Sequence, residues 1–328
     1  MNEPELRQDI VSGDWILLAK TRAKRPHVEL FPSSLRNFTP RQTCPFENPR
    51  KAGNTIIASY PEESDWFVQV IANKYPAVIT NGTDTCPVPY AIGAYRKAQA
   101  IGFHDVVVTR PHQRSLEEMT ITEGELVARA WQDRMRFLKT QACVDYIILF
   151  YNHGKAAGAS LSHPHSQIIT TPVVPPDVSR SLAGAKRFFE KTGKCVHCVI
   201  VKEELREKKR VLFCNDRFVV FAPFASRVNF ELRVMPRLHM PRFEDTTPSD
   251  RPLFVEALLA ALSSLHAKVN DPSYNFFIHT TPPRDTTDLY HWHLEILPKT
   301  TTWAGLELGT GLEAIVVAPE DAAALLNT

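Results

Sequence analysis

The residues with the most chemistry to offer sit in one stretch, Ser160-Leu161-Ser162-His163-Pro164-His165-Ser166-Gln167-Ile168-Ile169. Two imidazoles flank a proline, and a carboxamide follows two positions later. Alternate side chains of an extended segment share a face, so His163, His165 and Gln167 point the same way. Neutral imidazole is a nucleophile near pH 7. Asn152, Ser160 and Gln167 are neutral donors able to hold phosphate oxygens beside it. Taken alone, an H-x-H pair also fits two surface histidines on an edge strand, where Pro164 needs no partner for a missing N–H. Cys195 and Cys198 form a C-x-x-C, with His239 and His291 further on. Two thiolates and two imidazoles make a structural zinc set. A redox role fits less well, because no βαβ pattern surrounds the cysteines.

These residues need elements to hold them. Tyr146 to Tyr151 (YIILFY) is a continuous apolar run suited to a buried strand. Residues 152–158 follow as a glycine-bearing loop able to approach a ligand. WFVQVI (66–71) and FHDVVVTR (103–110) read as further strands. At the N-terminus, a turn at Ser12 to Asp14 is expected to join two apolar strands. Thr122 and Glu125 have the spacing of a capping box, and Val127, Trp131, Met135 and Leu138 recur at helical intervals behind it. A proline-rich linker over 171–176 leads to a helix over about 178–191.

The second half repeats the first. Cys195-Val196-His197-Cys198 answers Cys44-Pro45-Phe46-Glu47, and His291-Trp292-His293 answers His163-Pro164-His165. The interval from His112 to His163 is 163 − 112 = 51, and that from His239 to His291 is 291 − 239 = 52. A helix over 252–267 answers the one after Thr122. The symmetry places Cys44, Glu47, His112 and His163 in a set equivalent to the C-x-x-C set, with a carboxylate where a second thiol would stand. Two copies of one module are expected, each a meander of antiparallel strands with a helix packed on it.

Bulk properties exclude several classes. The chain has 328 residues, 38 Lys and Arg against 36 Asp and Glu, and a net charge of +2. No strong field draws it to nucleic acid or to a membrane surface. No apolar run approaches spanning length and no signal peptide is legible, so a cytoplasmic protein is expected. Six cysteines are too few for a disulfide scaffold.

The stretch NHGKAAGASLSHPHSQII resembles the active-site segment of galactose-1-phosphate uridylyltransferases, a branch of the histidine-triad superfamily. The resemblance runs over about residues 9–320. It implies an α+β fold of duplicated histidine-triad modules, 1–175 and 176–328, whose antiparallel sheets join into a half-barrel. It makes His165 the nucleophile, with Gln167 and Ser160 beside it. The opening SGDWILLAKTRAKRP is similar to the family's phosphate-binding segment, so Arg22 and Arg25 inherit contact with an acceptor phosphate. Asn73 and Lys74, in NKYPA, match a nucleotide-contacting turn, and Asn152 joins the substrate contacts. The two four-residue sets are implied to bind zinc. The second-half C-x-x-C and the segment AGLELGTG (304–311) look more like the ADP-glucose phosphorylase branch, which makes Glu307 a sugar-hydroxyl acceptor. A homodimer is also implied.

The residues following each H-x-H separate the copies. Gln167 follows His165, whereas Glu295 follows His293 and would repel a phosphate. Histidine-triad hydrolases carry a third histidine where Gln167 stands. An amide cannot titrate, so transfer is expected over hydrolysis. The expected reaction is a two-step nucleotidyl transfer from a nucleoside diphosphate sugar through a covalent nucleotidyl-histidine. UDP-glucose with a hexose 1-phosphate, such as galactose 1-phosphate, is the first expectation, and ADP-glucose with inorganic phosphate the second. A non-catalytic nucleotide-binding zinc module is the reading from another class.

Overall fold

The computed structural model describes residues 3–24, 39–80, 86 and 88–327. In chain order the strands begin with β1 (Glu5–Gln8), β2 (Trp15–Leu18), β3 (Ile56–Tyr60), β4 (Val68–Ala72) and β5 (Tyr90–Ile92). They continue with β6 (Tyr95–Lys97), β7 (His104–Thr109), β8 (Tyr146–His153), β9 (His165–Thr171) and β10 (Val211–Cys214). The last are β11 (Phe218–Phe221), β12 (Leu232–Pro236), β13 (Tyr274–His279), β14 (His293–Pro298) and β15 (Ala314–Ile315). The α-helices are α1 (Ile121–Leu138), α2 (Pro176–Thr192), α3 (Val196–Glu207), α4 (Arg251–Lys268), α5 (Gly305–Thr310) and α6 (Pro319–Leu326).

Ten strands form one sheet in the order β10-β11-β12-β14-β13-β8-β9-β7-β4-β3. Every pairing in it is antiparallel. Outward from the β8–β13 seam the two sides run β8-β9-β7-β4-β3 and β13-β14-β12-β11-β10. Each side therefore repeats the connectivity of the other, as the sequence repeat requires. The seam pairs Asn152 with Asn275 and Tyr151 with Phe276, so the two sheets become continuous.

One face of this sheet is dry. In β8, Leu149 and Tyr151 are buried, and in β9 Ser166, Ile168 and Thr170 are buried while His165, Gln167 and Ile169 are half-buried on the other side. Helices α1 and α4 cover the dry face. Val127, Trp131, Met135 and Leu138 of α1 share one core with Phe254, Leu258, Leu262 and Leu265 of α4 and the inward residues of the strands. Each such side chain removed from water contributes about 1.5–3 kcal/mol before conformational entropy is charged against it. Gly124 lets the two helices close, because a Cβ there would run into the Val255 side chain.

Two local expectations are corrected, and one covalent pairing adds to them. The cap of α1 is Thr120, not Thr122: Glu123 Oε2 accepts the Thr120 N–H at 2.8 Å and Thr120 Oγ1 accepts the Glu123 N–H at 3.3 Å. At the N-terminus Ile10 and Val11 belong to the turn, where Asp9 Oδ1 accepts the N–H groups of Val11 and Ser12 at 2.7 and 3.0 Å. The upstream partner strand is the polar β1, and β2 pairs in turn with β15. Finally, Cys86 and Cys143 form a disulfide across 57 positions. No helix among the described residues is long and apolar enough to cross a membrane.

Candidate active site

Strand β9 is clamped from its dry side. Trp131 Nε1 donates to Ser166 Oγ at 2.7 Å, and Ile168 packs in the core. With Ser166 and Ile168 turned inward, His165 and Gln167 must face outward. His165 is further held by its own strand start. Its Nδ1 lies 2.8 Å from the His163 carbonyl oxygen, which can only accept, so Nδ1 carries the proton. Nε2 then keeps its lone pair. Burial lowers the affinity of His165 for a second proton, and the His163 carbonyl opposes this only in part. The Phe46 ring packs 5.0 Å from the His165 ring, centre to centre.

Gln167 is also engaged. Its Oε1 lies 2.8 Å from Nε2 of His104 on β7. The same nitrogen is 3.0 Å from Asn73 Nδ2, and His104 Nδ1 accepts the Ala77 N–H at 3.0 Å. Asn73, expected to touch nucleotide, thus sits beside the His104 ring that reaches Gln167. Asn152 faces the same side as His165 and accepts from Asn275 Nδ2 at 2.7 Å. A cleft of about 330 Å³ opens beside it, lined by Asn152, Gly154, Ser162, His163 and Pro164 among others.

The second set converges as four residues and the first as three, with Glu47 beside His112. In the first, His163 Nε2 donates to the Thr109 carbonyl at 2.6 Å and His112 Nε2 to the Thr39 carbonyl at 2.7 Å. Their Nδ1 atoms face each other at 3.2 Å. Cys44 Sγ lies 3.5 Å from His163 Nδ1, and Glu47 Oε1 lies 2.6 Å from His112 Nδ1. Burial pushes His163 down to about 4, so its own Nδ1 carries no second proton at neutral pH. The Sγ of Cys44 and the Nδ1 atoms of His112 and His163 cluster as a cation site would, and the backbone carbonyls orient the rings for it. In the second set, Cys198 Sγ lies 3.4 Å from His239 Nδ1 and 3.5 Å from His291 Nδ1. The ligand atoms of Cys195, Cys198, His239 and His291 all lie within 4.8 Å of one another, as do those of Cys44, His112 and His163, and either group could hold a metal ion. Glu47 touches the first group through His112 alone.

The second H-x-H keeps the geometry and loses the chemistry. His293 Nδ1 lies 3.1 Å from the His291 carbonyl, as His165 does from that of His163. Beyond it, Glu295 is paired with Arg227 and, at 3.0 Å, with Arg233. Glu295 is thus not a lone anion: two guanidinium groups, shared with Glu231 and Asp9, offset its charge. This copy carries an ion cluster where the first has an amide: His293, Glu295 and Arg233 are all buried and line a small cavity.

Other expected residues lie apart. Arg22 is exposed in the turn of 3-10 helix over Lys20–Lys24, Lys74 is exposed after β4, and Ser160 is exposed in the loop before β9. Glu307 caps α5, accepting the Ala304 N–H at 2.9 Å. Among the described residues no hydrogen bond or ion pair links these four to His165. Arg25 lies outside the described residues. His104 and Phe46 were not singled out from the sequence. A histidine opening an alternating strand carries no spacing signal toward H-x-H.

Known proteins agree with this geometry. The family model described as "Galactose-1-phosphate uridyl transferase, N-terminal domain" matches residues 2–175, and "Scavenger mRNA decapping enzyme C-term binding" matches 194–307. An ADP-glucose phosphorylase of Arabidopsis thaliana is 34% identical over 99% of this chain and 92% of its own length. A galactose-1-phosphate uridylyltransferase of Thermotoga maritima is 28% identical over 98% of each. The crystal structure of an ADP-glucose phosphorylase from A. thaliana with bound ADP-glucose superposes with a TM-score of 0.86 at 32% identity, covering 99% of both chains. A uridylyltransferase structure gives 0.75 at 29% identity, over 98% of this chain and 97% of the other. With the duplicated sheet, the H-x-H strand and both ligand sets in place, the chain belongs to the galactose-1-phosphate uridylyltransferase family of the histidine-triad superfamily and is a nucleotidyltransferase.

Proposed function

We propose that the protein moves a nucleotidyl group from a nucleoside diphosphate sugar to a phosphate acceptor through a covalent nucleotidyl-His165, with ADP-glucose and inorganic phosphate as the substrate pair. The observation that carries the chemistry is the 2.8 Å contact of His165 Nδ1 with the His163 carbonyl, which leaves Nε2 as the free nucleophile. Nε2 attacks the α-phosphorus. The bond to the sugar phosphate oxygen breaks, and glucose 1-phosphate leaves. A phosphate oxygen then attacks the same phosphorus, the P–N bond breaks, and ADP leaves. Donors on the outward face of β8 and β9, Asn152 and Gln167, hold the phosphoryl oxygens.

The choice of ADP-glucose over UDP-glucose reverses the order expected from the sequence. It rests on the 34% identity to the A. thaliana phosphorylase against 28% to the T. maritima uridylyltransferase, and on the second-half C-x-x-C set. UDP-glucose with galactose 1-phosphate is the second reading, favoured by the family model over residues 2–175. The proposal includes 1–175 as the catalytic module and 176–328 as its partner module. It also takes zinc as the metal of both sets, a homodimer, and a cytoplasmic setting. Zinc would be held by Cys44, Glu47, His112 and His163, and by Cys195, Cys198, His239 and His291. It would fix the start of β9 through His163.

Initial rates with ADP-glucose plus phosphate, and separately with UDP-glucose plus galactose 1-phosphate, test the assignment. Parallel double-reciprocal lines with the first pair and at least about tenfold lower kcat/KM with the second are expected. The reverse preference moves the protein to the second reading, and intersecting lines contradict a covalent intermediate.

A further inference from the structure

We propose that His104 is a positioning residue that sets which end of the Gln167 amide faces the phosphoryl group. This rests on the reading of His165 as nucleophile and Gln167 as a phosphoryl donor. His104 opens β7, which pairs with β9 so that Val106 lies opposite Gln167 and His104 opposite Ile169. His104 and Gln167 are therefore diagonal neighbours on one face of the sheet, within reach of long side chains.

The proton on His104 is placed by groups that cannot turn over. The Ala77 backbone N–H can only donate, and it points at His104 Nδ1 from 3.0 Å. Nδ1 is therefore the acceptor, and the single proton of the neutral ring is on Nε2. Two groups lie near that proton. Asn73 Nδ2, at 3.0 Å, cannot take it, because the Asn73 amide is oriented by its Oδ1, which accepts the Tyr75 N–H at 2.9 Å. Gln167 Oε1, at 2.8 Å, can. The carbonyl end of Gln167 is thus turned toward β7. Its NH₂ end has no hydrogen-bond partner among the described residues and is left on the face that carries His165.

A phosphoryl group on His165 presents oxygens that only accept. It is held by Gln167 NH₂ and repelled by Gln167 Oε1. The backbone N–H of Ala77 thereby decides through His104 that the amide offers donors. A free glutamine would sample both orientations.

The test is the single-turnover rate of nucleotidyl adduct formation from ADP-glucose, with KM and melting temperature measured alongside. It uses His104→Leu, His104→Gln and His104→Glu, each in the wild-type and Gln167→Ala backgrounds. The amide nitrogen of His104→Gln reaches the place of Nε2 and still donates. The carboxylate of His104→Glu has the same shape but accepts, and so turns Gln167 round. Deleting Gln167 removes a donor outright, worth about 10²–10³-fold, so misorienting it is expected to cost less. His104→Leu should slow adduct formation about 10- to 100-fold with KM little changed. His104→Gln should stay within about fivefold of wild type. His104→Glu should be the slowest of the three. None should add a further loss in the Gln167→Ala background. Equal rates for His104→Gln and His104→Glu, or losses that simply multiply with that of Gln167→Ala, overturn the role of His104. If His104→Leu fails to fold, the Gln-to-Glu ratio carries the test. An adduct that survives in His165→Ala instead overturns the underlying nucleophile reading, and the proposal with it.

Discussion

The indole Nε1–H of Trp131 lies 2.7 Å from Oγ of Ser166, the residue between His165 and Gln167. One helix side chain thereby fixes the facing of both outward residues. Trp131→Phe keeps most of the apolar area but leaves the buried Ser166 hydroxyl short of a partner, a cost of about 1–3 kcal/mol. Urea unfolding should register that loss. Ser166→Ala in the same background should recover part of it, because the orphaned hydroxyl is then gone. A purely additive double mutant would contradict the pairing.

The second H-x-H copy is expected to be structural. Glu295 stands between Arg227 and Arg233, and all three sit in a buried or partly buried ion cluster. Glu295→Gln takes one counter-charge from both guanidinium groups while Glu231, and for Arg233 also Asp9, stay beside them, so the loss should be measurable but below the about 3–5 kcal/mol of a buried pair broken outright. Thermal or denaturant unfolding should report this. The folded fraction should still form adduct on His165. Loss of adduct in fully folded Glu295→Gln would mean that the second copy takes part in the chemistry.

Much of this was legible in the sequence, for a physical reason. The repeat carries two periodic signals together, apolar strand patterning and matched cysteine and histidine intervals, and both survive without knowledge of register. What could not be read depends on register or on competing frames. Thr120 and Thr122 each precede a glutamate by three positions, and only the structure shows that the Thr120–Glu123 frame caps α1. His104 meets Gln167 across a β7–β9 pairing whose offset is not written in either strand. The neutralisation of Glu295 comes from Arg227, outside any strand, and from Arg233 on the neighbouring β12. The disulfide of Cys86 with Cys143 brings together segments with no shared pattern.

Two metal equivalents per chain are expected by elemental analysis of the purified protein. Cys198→Ala should remove one and leave the other, and Cys44→Ala should do the converse. Stripping both with a chelator should lower the melting temperature, because bound metal adds its binding free energy to the folded state. Full metal content in both variants would contradict the two ligand sets.

Gly154 has φ of +77° at the start of the loop beside Asn152, and a Cβ there would strike Ser273 Oγ. Gly154→Ala combines left-handed strain with that collision. It should destabilise the fold by about 1–3 kcal/mol and raise KM by loosening the cleft wall. Unchanged stability and KM would mean that the loop relaxes freely.

The covalent intermediate is tested most directly by intact-protein mass spectrometry after brief exposure to ADP-glucose without phosphate. Wild type should gain one adenylyl group, lose it when phosphate is added, and show none in His165→Ala. An adduct of equal yield in His165→Ala, or turnover by that variant at the wild-type rate, would contradict His165 as the nucleophile.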